Sequence, residues 1–82
     1  MITAIKNSSI FFSKDYTGYV SVFAHSDECT GVYLRGLKYP LENATLRNAF
    51  PLGVSNEFIG CDSEIIIGQG TAVVVYNEYY SR

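Results

Sequence analysis

Ser55, Asn56 and Glu57 put a hydroxyl, a carboxamide and a carboxylate on consecutive positions, just after Gly53. Upstream, Lys38-Tyr39-Pro40 sets an aromatic ring between a lysine and a proline. These residue types suit polar recognition of a ligand. In an extended chain Ser55 and Glu57 point to one side and Asn56 to the other. All three serve one ligand only if the backbone bends there, which Gly53 would permit. The same stretch also reads as a polar turn entering a strand, since Ser and Asn bond the local backbone in turns. Tyr39 equally fits a half-buried strand aromatic, and Lys38 a solvated strand position.

The residue inventory argues against a complete catalytic site. A nucleophile needs a base, and the one histidine, His25, stands beside a turn with no activated serine or cysteine marked out near it. His25, Cys29 and Cys61 lack paired spacing for zinc. The eight carboxylates form no Asp-x-Asp cluster for magnesium, and no glycine-rich loop ends in Lys-Ser or Lys-Thr. No catalytic residue and no metal ligand is therefore expected in this chain.

Composition narrows the class further. Eighty-two residues make one domain, and a chain of this size buries only about 60–65% of the surface its unfolded form exposes. A partner domain, a second subunit or a ligand should add stability. Net charge is −2, with six scattered basic residues, so the clustered Lys and Arg of a nucleic-acid module are missing. No run approaches the ~20 apolar residues of a membrane span. Residues 1–7 lack the features of a signal peptide, so the glycosylation patterns at Asn7 and Asn43 are chance matches and a cytoplasmic setting is expected. Cys29 and Cys61 are expected to be reduced structural thiols.

Alternation and punctuation point to an all-β domain. Tyr19 to Ala24 alternates, with Val20, Val22 and Ala24 on one face; Thr30 to Arg35 does the same with Val32 and Leu34. Ser26-Asp27-Glu28 between them is a turn cluster. Ser63 to Ile67 and Thr71 to Tyr76 are rich in β-branched residues, and Gly68-Gln69-Gly70 between them predicts a hairpin. Ile2 to Ile5 and Ile10 to Ser13 add two strands. Leu41 to Ala49, bracketed by Pro40 and Pro51, holds at most one helical turn. The tail from Asn77 to Arg82 is expected to fray. The spacing of short strands predicts an antiparallel β-sandwich, jelly-roll-like, with little or no helix, over residues 1–82.

The run Thr30-Gly31-Val32-Tyr33-Leu34-Arg35-Gly36-Leu37-Lys38-Tyr39-Pro40-Leu41-Glu42-Asn43-Ala44, followed by Leu52-Gly53-Val54-Ser55-Asn56-Glu57-Phe58, resembles the C-terminal domain of bacterial thiamine pyrophosphokinases. The resemblance covers nearly the whole chain. It implies a β-sandwich that helps to bind thiamine and forms a homodimer through the β domains. The full enzyme of such a family transfers pyrophosphate from ATP to the thiamine hydroxyl, giving thiamine diphosphate and AMP. ATP and Mg²⁺ belong to an N-terminal α/β domain, which lies outside these 82 residues, so this domain alone is expected to be inactive. The resemblance assigns Ser55 and Asn56 to the aminopyrimidine edge and Tyr39 to stacking on a ring. Glu57 would complement the thiazolium charge or fix the loop, with Lys38 nearby. Leu46 to Pro51 lacks a glycine found in many relatives before the Leu-Gly step, and Tyr33 and Arg35 also depart from the pattern.

Other readings of the same residues have distinct signatures. A non-catalytic module serving only oligomerisation or protein interaction would dimerise without responding to thiamine. A barrel for single-stranded nucleic acid or sugar would use the aromatics as platforms, against the acidic balance.

Overall fold

Short alternating runs, each too brief to bury itself alone, pair into two four-stranded antiparallel sheets. A computed structural model of the chain describes residues 1–48 and 54–77. The expectations for Gly53 and for the tail beyond Asn77 lie outside the described residues. The strands are β1 (Ile2–Lys6), β2 (Ser9–Phe12), β3 (Tyr19–Ala24), β4 (Glu28–Arg35), β5 (Leu41–Arg47), β6 (Val54–Glu57), β7 (Ser63–Gln69) and β8 (Thr71–Tyr76). One sheet runs β1-β8-β3-β6 and the other β2-β7-β4-β5. This is jelly-roll order, in agreement with the expected class. Among the described residues there is no helix, and hence none long and apolar enough to cross a membrane.

The core lies between the sheets and uses the inward set of each alternating run. Val20 and Val22 of β3, Ala72 and Val74 of β8, Val32 and Leu34 of β4, and Ile65 and Ile67 of β7 are almost fully buried. Each large aliphatic side chain so placed contributes about 1.5–3 kcal/mol from water exclusion. At one end the core turns aromatic: the Phe12 ring meets Tyr16, Phe58 and Tyr76 edge-on, with centroids 5.1, 5.2 and 4.7 Å apart. Edge-to-face contacts match the positive rim of one ring to the negative face of another.

Two expectations from the sequence need correction. Gly68-Gln69-Gly70 is not a hairpin, because β7 pairs with β2 and β4 while β8 pairs with β1 and β3. The chain instead turns a corner from one sheet to the other. Gly70, at φ +113°, makes this possible, since a Cβ there would stand 2.6 Å from the Glu28 carbonyl oxygen. Asn7 ties the corner down: its backbone N–H donates to the Gly70 carbonyl at 3.1 Å, and its Oδ1 accepts the Gly70 N–H at 2.8 Å. Ser26 does the same for the β3–β4 corner, its hydroxyl accepting the Thr71 N–H at 3.0 Å.

The second correction concerns Leu41 to Ala49. Residues 41–47 form strand β5, paired along β4, and not a helical turn. Its apolar residues Leu41, Ala44 and Leu46 miss a strict period of two because Asn43, at φ +50°, sits in a bulge. Leu41 faces Leu34 and Ala44 faces Val32, so one extra residue stands on β5. A second shift lies between Cys29 and Val32 on β4, next to Gly31 at φ +60°. The cysteines also differ from one another: both are free, but only Cys29 is buried, and Cys61 is exposed.

Gly70→Ala should cost about 3 kcal/mol or more, combining left-handed strain with the clash on Glu28. Gly60→Ala, at φ +81° with nothing within 4 Å of a built Cβ, should cost only about 1–2 kcal/mol. Urea denaturation of the two variants measures the difference, and equal losses would refute the tight corner.

Candidate ligand-binding site

β4 ends at Arg35, and the chain leaves it through Gly36, at φ +71°. A Cβ on Gly36 would stand 2.1 Å from the Asp62 carbonyl oxygen, so only glycine fits this exit. Leu37 then turns into the core, 3% exposed, and forms an antiparallel bridge with Phe58. The Lys38 N–H donates to the Glu57 carbonyl at 3.1 Å. The segment 37–39 is thereby laid along 56–58, and Phe58 is held in turn by its N–H to the Gly18 carbonyl at 3.0 Å.

Asn56 locks this arrangement from below. It is 1% exposed, and its inward direction follows from its place opposite Val20 on β3. Its Oδ1 accepts the N–H of Tyr39 at 2.8 Å and of Glu57 at 3.0 Å. Its Nδ2 donates to the Tyr39 carbonyl at 2.6 Å. The carboxamide thus acts on Tyr39 as a neighbouring strand would, satisfying both backbone groups of one residue. A buried polar group bonded at both its oxygen and its nitrogen in this way helps to define a single backbone path.

Above the clamp the Tyr39 ring stands 56% exposed. Lys38 Nζ lies 5.5 Å from the ring centroid and 3.7 Å from Glu57 Oε2. A cation over the ring face and a carboxylate beside it form one polar, aromatic surface. Both charged groups are well exposed, so solvent screens the pair and it adds little stability. Ser55 is exposed and shares the outward side of β6 with Glu57.

The structure therefore brings Lys38, Tyr39, Asn56 and Glu57 together and places Ser55 one strand step away. The bend that would turn Ser55, Asn56 and Glu57 onto one ligand does not occur within β6. Asn56 points inward and acts on the site through Tyr39, with one Nδ2 hydrogen beyond those bonds. Gly36 and the Leu37–Phe58 bridge are site-forming features that residue chemistry did not reveal. The glycine directly after an alternating strand was their only signal. His25 is exposed at the opposite end of β4, roughly 25 Å away by strand rise. An open polar depression at that far end, between Ser26, Asp27, Glu28, Arg47 and Gln69, is separate from Tyr39. Among the described residues no group of His, Cys, Asp or Glu could hold a metal ion.

The family model described as the vitamin B1 binding domain of thiamin pyrophosphokinase matches residues 7–72. The chain belongs to this family. Residues 7–72 include every member of the Tyr39 clamp. Among solved structures, thiamin pyrophosphokinase from Geobacillus thermodenitrificans is similar at 25% identity and a TM-score of 0.83, covering 94% of this chain and 36% of that one. Thiamine pyrophosphokinase from Bacillus subtilis is similar at 25% identity and a TM-score of 0.81, covering 93% of this chain and 36% of that one. A thiamin pyrophosphokinase family protein from Enterococcus faecalis, at 22% identity and a TM-score of 0.68, covers 94% of this chain and 36% of its own and shares the fold. The B1-binding domain thus spans little more than a third of the length of these proteins. Comparison with curated proteins gives no match.

Asn56→Ala in this B1-binding domain would strip partners from both backbone groups of Tyr39 and from the Glu57 N–H. The expected loss is about 2–4 kcal/mol in urea denaturation, with faster amide exchange at Tyr39 and Glu57. An unchanged midpoint with protection retained at Tyr39 would refute the clamp.

Proposed function

We propose that this chain forms the thiamine-binding part of a thiamine pyrophosphokinase, an enzyme that transfers pyrophosphate from ATP to the thiamine hydroxyl, giving thiamine diphosphate and AMP. One observation supports this reading most directly. Tyr39 is an exposed aromatic whose backbone N–H and C=O are both held by a buried amide. With its backbone anchored at both groups, Tyr39 keeps only its side-chain torsions free, so its ring offers stacking area at reduced entropic cost.

The roles follow from the positions. Tyr39 stacks on one thiamine ring, and its face also attracts the thiazolium cation. Glu57 complements that positive charge, its pairing with Lys38 loosening as the ligand arrives. Ser55 supplies a hydroxyl that can donate to or accept from the aminopyrimidine edge. Asn56 is a positioning residue that holds Tyr39 in place. ATP and Mg²⁺ are handled by the remainder of the enzyme, an N-terminal α/β domain. The domain by itself is a binding surface without catalysis. The complete enzyme is a cytoplasmic homodimer joined through its β domains.

Titrating the isotope-labelled chain with thiamine to millimolar concentration tests the reading by amide NMR. Saturable shifts should appear at Lys38, Tyr39 and Ser55 to Glu57. In the complete enzyme Tyr39→Ala should weaken thiamine use by about 1–2 kcal/mol, the scale of one stacking and cation–π contact. Wild-type kinetics in that variant, together with no shifts in the isolated chain, would overturn the assignment.

A further inference from the structure

Lys38, Glu57 and Tyr19 stand in one row across three neighbouring segments. Leu37 bridges Phe58, so the next residue, Lys38, lies opposite Glu57, and Glu57 in turn pairs with Tyr19 on β3. Side chains of directly opposed residues share a face, so Lys38 and Tyr19 flank the Glu57 carboxylate. The Lys38 ammonium lies 3.7 Å from Glu57 Oε2 and 5.5 Å from the Tyr39 ring centroid. Its backbone is held there. The Lys38 N–H is bonded to the Glu57 carbonyl at 3.1 Å, and Asn56 holds Tyr39 directly after it.

A carboxylate beside an aromatic face makes a place for one positive charge, and the chain fills it with its own ammonium. The hold is weak. The Lys38 and Glu57 side chains are 48% and 36% exposed, so water competes for both charges. An ammonium is also strongly hydrated, and its flexible stem can swing into solvent while the backbone stays in place. A flat, delocalised cation differs on both counts. Its charge is spread over a ring that can lie on Tyr39, and it gives up less hydration in doing so. Exchange of the ammonium for such a ring keeps one cation against one carboxylate. Binding without exchange would crowd two cations against Glu57. An uncharged ring offers Glu57 nothing in place of the lost pair.

We infer that the Tyr39 ring and the Glu57 carboxylate form a single-cation site whose resting occupant is the Lys38 ammonium, and that a planar heteroaromatic cation binds by displacing it. Lys38 is a tethered competitor that sets the affinity of the site and selects against uncharged rings. The inference deepens the proposed thiamine reading and rests on it for the identity of the cation, the thiazolium ring. A lysine that served as an attractive contact to the ligand would respond to its removal in the opposite direction.

Titration of the isotope-labelled chain with N-benzylthiazolium, and with the uncharged thiazole that carries its benzyl group on carbon, tests this apart from thiamine. Amide and ring shifts at Tyr39 and Glu57 give the dissociation constants. Lys38→Met should tighten the thiazolium about threefold to tenfold, the scale of one exposed ion pair together with one cation–π contact. The uncharged thiazole should gain less. Lys38→Arg should weaken the thiazolium, because a planar guanidinium stacks on the ring and pairs with the carboxylate better than an ammonium does. Lys6→Met makes the same charge change beside Thr71, at the far end of β1, and should leave binding unchanged. Weaker or unchanged thiazolium binding in Lys38→Met, no thiazolium shifts in that variant, or equal tightening of both probes would each overturn the inference. Thiamine shifts that ignore Lys38→Met would sink it while the thiamine reading stands. The ordered thiazolium series with no saturation by thiamine would do the reverse.

Discussion

Of the described strands, only β4 and β5 follow one another within a single sheet; at the other consecutive steps the chain changes sheets. That constraint governs the rest of the structure. A strand that must cross the sandwich cannot use a two-residue hairpin, so it needs a corner, and a corner leaves backbone groups to be satisfied by side chains. Asn7 and Ser26 meet that need at one end, where three crossings converge, and Gly70 provides the space. Because both neighbours of each inner strand come from elsewhere in the sequence, pairing is almost wholly long-range. Such topologies carry a large loop-closure entropy and fold slowly for their size.

The opposite end of the sandwich solves the same problem differently and yields the candidate ligand surface. There the chain leaves β4 through a glycine and is laid along the end of β6, and the buried amide of Asn56 replaces the missing strand partner. A residue that completes backbone hydrogen bonding from within the core can hold a loop rigidly without covering it. This holds the Tyr39 backbone in place while its ring stays exposed, a combination that suits recognition of a flat, cationic heterocycle. The aromatic cluster of Phe12, Tyr16, Phe58 and Tyr76 supports this end from inside.

Size bears on this surface too. A domain of this length has one thin core, and the outer face of the β1-β8-β3-β6 sheet adds a second layer only when something covers it. Ser55 and Glu57 lie at the edge of that face, so whatever covers it also shapes the approach to Tyr39.

Much of the architecture was legible in the residues alone. Alternation located β3, β4, β7 and β8 to within two residues, because the inward set of a half-buried strand must recur with period two. The Lys-Tyr-Pro and Ser-Asn-Glu segments marked the candidate site region by residue type, and the fold brings them side by side. What alternation could not show is which strands pair. Gly68 to Gly70 is compatible with either a hairpin or a corner, and only the packing of β7 and β8 against different neighbours decided between them. β5 was hidden because the bulge at Asn43 shifts its phase by one residue, an event visible only against its partner β4. Asn56 likewise carries the same amide whether it faces a ligand or the core. Its inward direction was decided by the uninterrupted strand β6, and its bonds to Tyr39 by Gly36, which brings that residue within reach.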